Sequence, residues 1–185
     1  MATPGIWLLE NYWSDSYGDV RSVEPVIKSL ERAKSAKVVH RQINDVEDLV
    51  KGLLVLGQKR NKRYEIAYIA CHGSPGAVHI GDDSRDLSSL ADELPEGQVL
   101  DGKLVHFGSC SVLRNRLQCR AFLDKTGAQA VSGFTKDVDW FESMAFELLM
   151  FQKFATYQRL GNFVNGMERD YGQLSKKLGF KIIRP

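Results

Sequence analysis

The chain has 185 residues, a formal net charge of +2, 43% hydrophobic residues and 26% charged residues. That length suits a single domain over residues 1–185, and so small a charge argues against nucleic acid as a partner. No apolar run approaches the roughly 20 residues of a membrane span, so no membrane partner is expected either.

The first five residues lack the basic start and apolar block of a secretory signal, which predicts a cytoplasmic protein. Three cysteines, Cys71, Cys110 and Cys119, cannot all pair within one chain. Their spacing shows neither a CxxC repeat nor a nearby His pair, so they read as reduced thiols, with no metal and no cofactor implied. The basic stretch from Lys59 to Arg63 has no aromatic platform beside it and reads as a solvated helix end.

Gly5 to Glu10 follows a Pro-Gly breaker and predicts a central first strand. Asn11 to Asp19 is a polar loop carrying Tyr12, Trp13 and Tyr17; it can wall a cleft or pack on the domain surface. Val23, Val26, Ile27 and Leu30 then recur at helical spacing with Pro25 in the first turn. Lys37 to Ile43 is strand-like. Asn44 or Asp45 can cap a helix bearing Val46, Leu49, Val50, Leu53 and Leu54 on one face. Tyr64 to Ala70 is the third strand. This alternation predicts an α/β fold, three-layered and doubly wound, with a mostly parallel sheet of about six strands.

Beyond a turn at Gly73 to Gly76, residues 77–81 look like one arm of a hairpin. A short helix lies within Asp86 to Leu94, and a further strand ends at Cys110. The next helix, Arg114 to Lys125, is expected to bury Leu113, Leu117, Cys119 and Phe122, with Gly127 as its stop. Ala128 to Phe134 is the fifth strand. From Asp139 a long helix is expected to turn Phe141, Met144, Ala145, Leu148, Leu149 and Phe151 inward. A last helix, about Asn162 to Leu178, precedes a terminal strand, Phe180 to Ile183.

Two strand exits carry the chemistry. Ala67 to Ala70 runs into Cys71, His72 and Gly73, while Leu104 to Phe107 runs into Gly108, Ser109 and Cys110. In a parallel sheet such exits open on one edge, with strands about 4.8 Å apart. A thiol attacking a carbonyl needs a base to take its proton and donors for the oxyanion it creates. His72 can supply the first, and the Gly73 and Cys110 N–H groups the second. Cys71 alternates to the opposite face and reads as structural, as do Cys119, His79 and the mid-strand His106.

The pair of blocks, Ile69 to Gly73 and Val105 to Cys110, resembles the two signature blocks of the caspase-like cysteine peptidases of clan CD, most closely their CHAT branch. Gly127 to Phe134 is similar to that family's Gly-Ala strand, and Asp139 to the acidic residue opening its next helix. The chain departs from the family at Phe134-Thr135-Lys136, where a tryptophan is usual. The resemblance implies Cys110 as nucleophile, His72 as acid/base and Gly73 with Cys110 as oxyanion hole.

It further implies a regulated endopeptidase acting on a protein or peptide substrate. Activation would come when a regulatory protein partner, a ligand or cleavage orders the loops at residues 11–19 and 74–86, and the resemblance implies a place in bacterial defence or programmed death. Asp137, Asp139, Phe134 and Trp140 are the candidate lining of the substrate pocket. The expected preference is a basic P1 residue, Arg or Lys, held by the two carboxylates, although Asp139 is also a natural N-cap for the helix that follows; an apolar P1 would use the two aromatics. The alternative is a catalytically silent caspase-like scaffold or binding module contacting partners through Tyr12, Trp13 and Tyr17. A flavodoxin-like nucleotide binder is disfavoured, because Glu10 to Trp13 is no Gly-rich phosphate loop.

Overall fold

Short β-branched and apolar runs bury both faces of a strand, so they must be covered by helices on both sides. That is what the computed structural model shows for the residues it describes, 3–95, 98–157 and 159–185. In chain order the elements are β1 (Gly5–Glu10), α1 (Glu24–Arg32), β2 (Lys37–Gln42), α2 (Val46–Leu56), β3 (Tyr64–Ala70), β4 (His72–Ser74), β5 (Ala77–Ile80) and β6 (Asp83–Asp86). There follow α3 (Leu87–Asp92), β7 (Leu104–Gly108), α4 (Arg116–Thr126), β8 (Ala130–Phe134), α5 (Trp140–Thr156), α6 (Leu160–Leu178) and β9 (Phe180–Ile183).

The main sheet has six strands in the order β2-β1-β3-β7-β8-β9. All neighbours run parallel except β9, which is antiparallel to β8. Strands β4, β5 and β6 form a separate antiparallel sheet that begins immediately beyond the exit of β3. Residues 77–80 pair with residues 83–86, so the hairpin arm expected at 77–81 is present.

Alternation along the strands sorts the core into two layers. Leu9, Ala67, Ile69, Val105, Phe107 and Val131 pack with α2, α3 and α4. Ile6, Leu8, Ile66, Tyr68, Leu104 and Phe134 pack with α1, α5 and α6. The outer strand β2 blunts its free edge with exposed Lys37, Arg41 and Gln42, which discourages pairing with other chains. Among the described residues no helix is long and apolar enough to cross a membrane.

The helices begin where their caps dictate. The Asp45 carboxylate accepts from the Asp48 N–H at 2.7 Å, and Asp139 accepts from the Glu142 N–H at 2.9 Å. Two buried faces differ from expectation. In α5 the inward residues are Met144, Phe146, Glu147, Met150, Phe151 and Phe154, whereas Phe141 is 70% exposed and Leu149 36%. The inward stripe runs through Glu147, a carboxylate that a purely apolar pattern rejects. In α4 the buried set is Cys119, Phe122, Leu123 and Thr126, and Leu117 faces solvent.

Candidate functional site

The parallel register places the two strand exits side by side. Ala70 of β3 pairs with Gly108 of β7, so His72 and Cys110 each lie two residues beyond the same rung. One residue beyond it, the Cys71 sulfur and the Ser109 hydroxyl are 3.4 Å apart, so the chains stay adjacent after the strands end. Cys71 and Ser109 point into the core, leaving His72 exposed and Cys110 partly exposed. Gly73 follows directly. A Cβ there would come within 2.9 Å of Ser109 Cβ and 3.1 Å of the Cys110 carbonyl oxygen, so only glycine lets β4 lie this close to the β7 exit.

Past Cys110 the chain reverses through Ser111, whose φ of 59° is left-handed. This conformation is costly for a residue with a side chain and needs support from its surroundings. The Ser111 N–H donates to the Lys136 carbonyl at 3.0 Å, and its hydroxyl donates to Asp137 at 2.6 Å. The same segment reaches the thiol, since the Val138 N–H lies 3.5 Å from Cys110 Sγ. The turn that presents the sulfur is thus fastened to the loop between β8 and α5.

His72 is held from the other side. Its Nε2 lies 3.0 Å from the Trp13 carbonyl oxygen, which only accepts, so Nε2 carries the proton and donates it. Nδ1 is left to take up or release a proton. The Trp13 indole stands edge-on to the imidazole, with ring centroids 5.6 Å apart, and to Trp140 at 6.4 Å. These contacts ring the site: Val138 meets Cys110 on one side, and Trp13 meets both His72 and Trp140 on the other.

Of the expected pocket residues, Trp140 alone is shown beside this ring. Phe134 is wholly buried among His106, Phe146 and Phe180, and so does not line the site. Alternation along β8 turns it, with Ala130 and Ser132, toward α5 and α6. Asp139 gives one oxygen to the α5 cap, and Asp137 gives one to the Ser111 turn.

Sequence reading missed three groups: the Trp13 carbonyl, the Val138 N–H, and Glu10, whose carboxylate accepts from the Trp13 indole N–H at 3.0 Å. Glu10 could have been noticed as a lone acid closing an otherwise apolar strand. Backbone groups leave no such mark. Tyr12 and Tyr17 of the same loop are 61% and fully exposed, whereas Trp13 is tucked in.

A second polar constellation lies below the site, in the core. His106 Nδ1 is 2.9 Å from the Ser132 hydroxyl, its Nε2 is 2.9 Å from Glu147, and Glu147 also accepts from the Tyr68 hydroxyl at 2.5 Å. These side chains are almost completely buried, so no substrate can reach them. Burial comes first among the causes that push the Tyr68 phenol well above its ordinary value, with the Glu147 charge and hydrogen bond adding to it. A groove of about 840 Å³ also opens between α6 and β9, lined in part by Lys136, Met167, Tyr171, Lys176 and Lys181. Neither His72 nor Cys110 contributes to it. Among the described residues no group of three or more His, Cys, Asp or Glu side chains is gathered as a metal ion would need.

Compared with known proteins, the chain matches no curated sequence. A model of a protein family described as a family of unknown function, DUF6642, matches residues 4–183. Since that match spans nearly the whole chain, the protein belongs to the DUF6642 family.

Proposed function

We propose that the protein is a cysteine endopeptidase with Cys110 as nucleophile and His72 as its acid/base. The observation that carries this reading is the shared rung: adjacent parallel strands release an exposed imidazole and a partly exposed thiol at the same offset, with the imidazole oriented by a carbonyl. In the reaction His72 Nδ1 takes the thiol proton, and the sulfur attacks the scissile carbonyl carbon. Collapse of the tetrahedral intermediate gives a Cys110 thioester as His72 returns the proton to the leaving amine. Water activated by His72 then hydrolyses the thioester and restores the thiol. The Gly73 and Cys110 N–H groups are the donors for the oxyanion.

A cytoplasmic setting, a regulatory protein partner and a role in bacterial defence or programmed death belong to the same proposal and rest on the resemblance to caspase-like peptidases. The aromatic surface supports a second reading, a catalytically silent binding module. Tyr12, Tyr17 and Phe141 are exposed, as partner-contacting aromatics are.

Peptidyl chloromethyl ketones varied at P1, incubated with the native protein at neutral pH, separate the two. A single adduct on Cys110, lost in His72→Ala, is the expected result. Preference for Arg or Lys ketones would assign Asp137 or Asp139 to the pocket, and preference for apolar ones Trp140. Equal labelling in wild type and His72→Ala would leave only the binding module.

A further inference from the structure

His72 is oriented by a carbonyl that lies on a loop, and a loop carbonyl is only as well placed as the loop. Residues 11–23 leave the end of β1 and return to α1, and they contain no strand or helix of their own. What closes this excursion is one buried carboxylate at its root. Glu10, the last residue of β1, is 1% exposed. Its Oε1 accepts from the Trp13 indole N–H at 3.0 Å and from the Val23 backbone N–H at 2.7 Å. Its Oε2 accepts from the Ser22 hydroxyl at 2.8 Å and lies 3.1 Å from His40 Nε2 of β2. One side chain thus holds the loop at both ends, at Trp13 and at Ser22–Val23.

From this geometry we infer that Glu10 is a positioning residue for His72, acting through Trp13. The inference rests on the reading of Cys110 and His72 as a catalytic pair. The link is short and continuous: Glu10 carboxylate to Trp13 indole N–H, then Trp13 carbonyl to His72 Nε2–H. The indole also packs edge-on against the imidazole, so the residue gripped by Glu10 touches His72 twice.

The chemistry of Glu10 suits such an anchor. A carboxylate can take several donors at once, which an amide or hydroxyl at this position could not. Burial alone would raise its pKa, but the bonds from His40, Trp13, Val23 and Ser22 together outweigh that and lower it, so the charged form persists. The other charged groups near this path are Glu24 of α1, 3.7 Å from His40 Nδ1, and Arg21, which pairs with Asp19. Arg21 also donates to the Trp13 carbonyl at 3.2 Å. That carbonyl therefore serves a permanent cation as well as His72, and its place matters to both.

A role confined to stability would show in unfolding and leave the chemistry at Cys110 alone. The test is the rate at which iodoacetamide alkylates Cys110 at about pH 6.5, where proton sharing with an imidazole governs thiolate supply. It is followed by peptide mapping and paired with the denaturant midpoint of each variant. Trp13→Phe keeps the ring and the backbone carbonyl and removes only the indole N–H. Glu10→Gln keeps the shape and removes one acceptor site and the charge.

Each substitution is expected to slow alkylation by up to about 10²-fold, the scale on which a 1 Å misplacement of a reacting group is felt. The double variant is expected to be no slower than the slower single one, because the two residues act along one path. In a His72→Ala background Trp13→Phe should have no further effect. Wild-type rates in both single variants, with His72→Ala slow, would overturn the inference and leave the catalytic pair standing. If His72→Ala itself alkylates like wild type, the pair and its anchor both fall. Should Glu10→Gln fail to fold, Trp13→Phe decides alone.

Discussion

Two histidine clusters on neighbouring strands obey opposite rules: His106 pairs with Tyr68 of β3, four residues before His72. At the sheet edge His72 and Cys110 have few hydrogen bonds, and His72 is exposed and Cys110 partly so. In the core His106 has a serine on one nitrogen and a glutamate on the other, the more complete array by hydrogen-bond count, yet it is sealed among Tyr68, Phe134, Phe151 and Phe180. A hydrogen-bonded Ser-His-Glu series is thus no sign of catalysis when nothing can enter. Buried polar groups must be satisfied to be tolerated at all, and satisfaction here serves the fold. The loosely held pair at the edge is the one that can meet a substrate.

The largest expected difference is on activity. His72→Ala should lower ketone labelling or peptide turnover by about 10² to 10⁴-fold, the usual contribution of a general acid/base, while an exposed imidazole contributes little to the unfolding midpoint. His106→Ala should do the reverse. Removing one member strands Glu147 and Tyr68 in the core, and a loss of about 3 kcal/mol by denaturant titration is expected. If His106→Ala unfolds like wild type, the sealed cluster has no structural role and the contrast breaks.

Gly108 joins the two regions. It lies two residues before Cys110, and a Cβ on it would come 2.5 Å from Tyr68 Cε2 and 2.8 Å from Glu147 Oε1. Gly108→Ala should therefore cost about 1 to 3 kcal/mol by overpacking and also displace Cys110, so that midpoint and labelling rate fall together. A loss in only one of the two would show that the clusters are mechanically independent.

Smaller effects separate the thiols and the acid limb. Burial comes first in pushing Cys71 and Cys119 each up to about 11, so in native protein at neutral pH only Cys110 should react promptly with iodoacetamide. Mass spectrometry should find one label per chain. Glu10 has its pKa lowered in the folded state, so it contributes stability that is present at neutral pH. That contribution is lost as pH falls below the usual carboxylate range toward the folded value. The midpoint of wild type should therefore drop in acid more steeply than that of Glu10→Gln.

The sheet was legible in the sequence because its central strands are short apolar runs that stop abruptly at polar, small or reactive residues. Less legible was anything that needs a side chain to break its pattern. Glu147 sits on the buried face of α5 because His106 and Tyr68 wait for it there, and neither is near it in sequence. Phe134 looks like pocket lining by proximity to Asp137, yet strand alternation sends it inward. His72 and Cys110 were readable as strand exits; Glu10 stood out only as a lone acid, and its role was not readable, because its partners at Trp13, Ser22, Val23 and His40 converge only after β1 and β2 have paired.

The central claim, that His72 and Cys110 work as one unit at the open edge, is tested most directly by alkylation of Cys110 across the pH range in wild type and His72→Ala. The expected result is a rate in wild type that stays high from neutral into mildly acidic pH and that His72→Ala abolishes there. Superimposed profiles, both rising only in alkali as for an isolated thiol, would contradict it.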